Sequence, residues 1–105
     1  MLQFDLDPRL EFTDAALRVL ASARKADRRF LLDGIKKHLL ENDPAQVTKN
    51  KFPLRRPSPH AERELRLDHW RVFYSVNPDD GSVLVRLIGV KQGSKLYIGG
   101  EEWEL

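Results

Sequence analysis

A chain of 105 residues, 41% hydrophobic and 32% charged, carries enough apolar material for one core and too little for two, so residues 1–105 are expected to form a single domain. The lack of cysteine excludes disulfides and thiolate metal sites, and no apolar run approaches the roughly 18 residues of a membrane span. The start MLQFDLDPRL lacks the basic-then-apolar layout of a secretory leader, which makes a cytoplasmic protein the expectation. The net charge of +2 conceals a division. Residues 48–71 hold Lys49, Lys51, Arg55, Arg56, Arg63, Arg66 and Arg71 against Glu62, Glu64 and Asp68, whereas GGEEWEL is acidic.

In chain order, LQFDLD alternates Leu2, Phe4 and Leu6 with polar residues, which predicts a half-buried strand, and RLEF a second short extended piece. The period then becomes helical. Thr13 is placed to cap a first helix, with Asp14 at its positive end, Phe12 set to staple onto Leu17, and Leu17, Leu20 and Ala21 as its buried stripe. A second helix restarts after RKAD with Phe30, Leu31, Ile35 and Leu39 on its apolar face, giving a two-helix hairpin that ENDP terminates. AQVTKNKFPLRRPSPHA, with three prolines and no period, predicts a basic loop.

Strands follow. ERELRLD and WRVFYSV alternate and are joined by the short link Asp68-His69, NPDDG is a turn, and SVLVRLIGVK reads as a central strand, apolar on both faces apart from Arg86. The acidic end, with Gly99-Gly100 permitting a bend, is expected to add an edge segment and to tuck Trp103 onto the body. The predicted class is therefore α+β, with an N-terminal strand and a helix pair on one face of an antiparallel meander. If Leu65, Leu67, Val72, Tyr74 and Val76 face the helices, Glu62, Glu64, Arg66, Arg71 and Phe73 face the other way. Such a mixed cationic and aromatic face suits RNA, whose phosphates attract Arg and Lys and whose unstacked bases lie on aromatic rings.

LRLDHWRVFY, where an aromatic-Arg step follows a Leu-Arg strand, and IGVKQGSKLY resemble the RelE/ParE superfamily of toxins from bacterial type II toxin-antitoxin systems, and the order of elements matches over nearly the whole chain. The resemblance implies a toxin that acts as a ribosome-dependent mRNA endoribonuclease, with mRNA, the ribosome and a cognate antitoxin as partners and with no metal or cofactor. The alternative within the same fold is a non-catalytic protein, either a gyrase-binding poison or a degenerate antitoxin-binding remnant. By resemblance Arg71 contacts phosphate, Lys91 is a second basic position, Tyr97 is an aromatic group near the cut, and Glu64 is a candidate base. Lys49, Lys51, Arg55, Arg56 and Arg66 are expected to bind RNA, because Glu62 and Glu64 stand where ribosome-dependent relatives place lysines. Read without the resemblance, Arg71 pairs with Glu62 or Glu64 across strands, Lys91 is a solvated strand-end lysine, Tyr97 packs on the core and His69 is an exposed hairpin-tip histidine. The three histidines, His38, His60 and His69, are too scattered to make a metal site.

Overall fold

The computed structural model describes residues 7–56 and 58–105, so the strand expected over residues 2–6 lies outside the described residues. The elements run β1 (Leu10–Phe12), α1 (Asp14–Ser22), α2 (Lys25–Leu39), β2 (Lys51–Pro53), β3 (Arg63–Leu67), β4 (Trp70–Val76), β5 (Val83–Gln92), β6 (Lys95–Ile98) and β7 (Glu101–Trp103). Among the described residues the sheet has seven strands. Six neighbour one another antiparallel in the order β2-β3-β4-β5-β6-β7, while β1 lies parallel to the start of β5, on the edge that β6 occupies further along. The predicted loop thus conceals a strand, β2, and the acidic end forms β7 as expected, turning through Gly99 and Gly100, both left-handed at φ 59 and 83.

Thr13 caps α1 by accepting from the Ala16 amide at 3.2 Å, and its hydroxyl donates to the Arg86 carbonyl at 2.6 Å, fixing the helix start to β5. The end of α1 is satisfied from the next helix. Arg28 donates from Nε to the Leu20 carbonyl at 2.8 Å and from its terminal nitrogen to the Ala21 and Ala23 carbonyls, which permits the tight junction before α2.

Both helices pack on one sheet face. Ala16 and Leu20 of α1 and Leu31, Ile35 and Leu39 of α2 are buried against Leu65, Leu67, Trp70, Val72, Tyr74, Val83, Val85 and Ile88. Two expectations are corrected. Ala21 is exposed and Leu17 half-buried, because the stripe of α1 runs through Ala16 and Leu20; Phe30 is 47% exposed, because the four-residue spacing of Leu31, Ile35 and Leu39 fills the inward face of α2.

The carbonyls at the end of α2 and in the loop after it are gathered by the sheet. The Tyr74 hydroxyl donates to the Pro44 carbonyl at 2.9 Å, Arg63 to that of Ala45 at 3.2 Å, and the Lys51 ammonium to those of His38 at 2.5 Å and Asp43 at 2.7 Å. Burial pushes the Tyr74 phenol up to about 12. Between pH 10, where an unfolded tyrosine ionises, and pH 12 the folded chain binds the extra proton, so stability falls as pH rises through that window. Tyr74→Phe is expected to lower stability by about 1 kcal/mol at pH 7 through the lost hydrogen bond. It should also flatten the fall between pH 10 and 12, as urea unfolding across that range will show.

The sheet's register contains one irregularity with consequences for the other face. Phe73 pairs with Leu87 but Tyr74 with Val85, leaving Arg86 as the extra residue of a β-bulge. Side chains alternate along a strand, so the bulge reverses the alternation: Val83 and Val85 face the helices, while Leu87, Gly89 and Lys91 face away. This is why β5 reads as apolar on both faces.

Candidate functional site

The face away from the helices is only partly wet. Phe73, expected to point to solvent, is 2% exposed in a second apolar cluster with Ala61, Leu87, Leu96 and Ile98, against which Leu54, Trp103 and Leu105 pack. The polar part lies beyond this cluster, where β3, β4 and β5 bring Arg66, Arg71 and Lys91 to one side. Arg66 pairs with Arg71, Arg71 with Gly89, and Lys91 with Leu96, so all three side chains share a face. Here the bulge matters. Without the extra residue at Arg86, Lys91 would alternate onto the helix face.

These residues line a concavity of about 720 Å³. Among the described residues its walls carry the cations Arg55, Arg56, Arg66, Arg71, Lys91 and Lys95 against the carboxylates Glu64, Glu102 and Glu104. Like charges gathered over a low-dielectric floor focus a field that draws in anions. Lys91 is held in place by its strand, whose amide at Lys91 donates to the His69 carbonyl at 2.8 Å.

Arg71 is more sheltered than Arg66. Its side chain is 14% exposed, and one terminal nitrogen donates to the Asp68 carbonyl at 2.6 Å and to that of Trp70 at 2.9 Å. Glu64 Oε2 stands 3.9 Å from its Nε and 2.7 Å from that of Arg66. Burial lowers the Arg71 pKa, Arg66 lowers it further, and Glu64 and Asp68 oppose the shift; an arginine stays charged regardless. The two carbonyls therefore fix the direction of the guanidinium, Glu64 lies at its Nε, and its other terminal nitrogen is left to meet an anion.

Of the other predicted site residues, Arg55 and Arg56 are exposed on the wall of the concavity, whereas Lys49 is exposed outside it. Lys51 is corrected. It is 1% exposed, and its ammonium, whose pKa burial lowers, serves the end of α2 and not the basic surface, because β2 turns it to the helix side opposite Leu65. Tyr97 pairs with Val90, on the helix side, and is half-buried there with the sheet between it and Arg71. His69 is exposed, 3.1 Å from Asp68 and tilted against Trp70. Sequence reading missed Phe52 and Trp103 as lining residues, Phe52 because Pro53 disguised its strand. No helix among the described residues is long and apolar enough to cross a membrane.

Neither a family model nor a curated protein matches the chain. Among solved structures it is similar to the crystal structure of the archaeal RelE-RelB complex from Pyrococcus horikoshii OT3, with a TM-score of 0.60 and 25% sequence identity over 81% of this chain and 94% of that one. The fold, with its two helices on an antiparallel sheet, is RelE-like.

Proposed function

We propose that this chain is the toxin of a type II toxin-antitoxin pair and cleaves mRNA on the ribosome, in the cytoplasm. The observation that carries the reading is the convergence of Arg71, Arg66 and Lys91 on one concave cationic surface of a RelE-like fold. In the reaction the ribose 2′-oxygen attacks the adjacent phosphorus, the bond to the 5′-oxygen breaks, and a 2′,3′-cyclic phosphate and a 5′-hydroxyl result. The proton leaves the 2′-hydroxyl and one is returned to the 5′-oxygen. Arg71 and Lys91 stabilise the charge that builds on the phosphate oxygens, the planar guanidinium presenting donors already aimed by the Asp68 and Trp70 carbonyls. Glu64, beside both arginines, accepts the 2′-proton. Tyr97 has no part in this scheme, since it lies across the sheet. A cognate antitoxin is the natural protein partner, a reading that the likeness to a RelE-RelB complex supports.

Programmed ribosomes with a defined mRNA test this: added chain should yield cuts at fixed positions within codons. A second reading, recognition without cutting, is favoured by the carbonyls and the glutamate that already engage Arg71. Under it the mRNA remains whole, and the gyrase-poison version yields stalled gyrase-DNA complexes instead.

A further inference from the structure

Beside the phosphate-binding arginine stands a second guanidinium with a different setting. Arg66 lies over the Phe52 ring, its central carbon 4.8 Å from the ring centroid, and its Nε donates to Glu64 at 2.7 Å. It is nonetheless 50% exposed, in the same concavity as Arg71. The ring below and the carboxylate at one edge hold a side chain that is otherwise free to rotate, so the entropy of ordering it is met before any ligand arrives. Half of the side chain stays open to the concavity. Planar cations of this kind stack on nucleobases.

We infer that Arg66, seated on Phe52, is a nucleobase platform, stacking the base of a nucleotide whose phosphate is held at Arg71. Glu64 connects the two sites, since the same carboxylate oxygen faces both guanidiniums. The inference rests on the RNA-binding reading above and adds a subsite to it: Arg71 senses only the backbone, whereas Arg66 senses whether a base is present.

The test uses a 2′-O-methyl RNA hexamer, which has no free 2′-hydroxyl to react, and an abasic hexamer of equal charge, with binding followed by fluorescence anisotropy. The wild-type chain should prefer the base-bearing strand about tenfold. Arg66→Lys keeps the charge and removes the plane, so affinity for the abasic strand should hold while the preference falls to near unity; Phe52→Leu should reduce the preference without altering the salt dependence. An Arg66→Lys chain that retains the tenfold preference overturns the platform, as does a wild-type chain that binds both strands equally, which leaves the RNA reading standing. Binding of neither strand overturns the platform, while the cuts on programmed ribosomes judge the RNA reading separately.

Discussion

Arg71→Ala is expected to reduce the rate of mRNA cleavage on ribosomes by about 100- to 1000-fold, the usual consequence of removing one preorganised donor from a charge-developing centre. The effect should fall on the chemical step more than on binding, because Arg55, Arg56, Arg66, Lys91 and Lys95 still line the concavity and still attract the backbone. Stability should change little. The guanidinium's carbonyl partners, Asp68 and Trp70, lie at the hairpin end of β4, where Asp68 is exposed and water can replace the lost donor. Arg71→Lys is expected to recover only part of the rate, since a point charge cannot reproduce both the carbonyl anchors and the forked contact to phosphate. Single-turnover cleavage separates the rate from the affinity.

The largest effect on stability is expected at Gly89. It lies opposite Arg71 on β4, and on its other side Leu96 and Ile98 of β6 fold over the space where a side chain would stand. A Cβ there would meet the Tyr97 carbonyl oxygen at 2.8 Å and Ile98 at 2.8 Å. A rotamer change displaces the Ile98 side chain, but the carbonyl belongs to the β5-β6 pairing and yields only if the strands part. Gly89→Val brings a residue of higher strand propensity, a gain of at most about 1 kcal/mol. The clash outweighs it, for a net loss of about 3 kcal/mol and a fall of roughly 10–20 °C in the unfolding midpoint. Gly93→Ala is the contrast: nothing stands within 4 Å, and only its left-handed φ of 62 is strained, so a loss of about 1 kcal/mol is expected. Calorimetry of the two variants distinguishes packing from backbone conformation.

The alternation of β3 and β4 made one face legible from residues alone. Leu65, Leu67, Val72, Tyr74 and Val76 do pack against the helices, and Arg66 and Arg71 do point away. The Thr13 cap and the NPDDG turn were equally legible, because each depends on a few neighbouring residues. Three features were not. The bulge at Arg86 is a property of the pairing between two strands, so a single strand's pattern reads as apolar on both sides. Lys51 reads as a loop cation because a short strand interrupted by proline has no period, and only the carbonyls of His38 and Asp43 make its burial tolerable. Phe73 takes the face that its alternation predicts, but that face is covered where Leu54, Trp103 and Leu105 return from distant parts of the chain.

If RNA lies on the concave face, across Arg71 and Lys91, an NMR titration with the uncleavable hexamer will show where it sits. Chemical-shift changes are expected at the Arg71 and Lys91 amides and at the Arg66 and Arg71 side-chain Nε–H groups, with Ile35 and Leu39 on α2 unaffected. Changes centred on the helices, with those arginine signals unmoved, would contradict that placement.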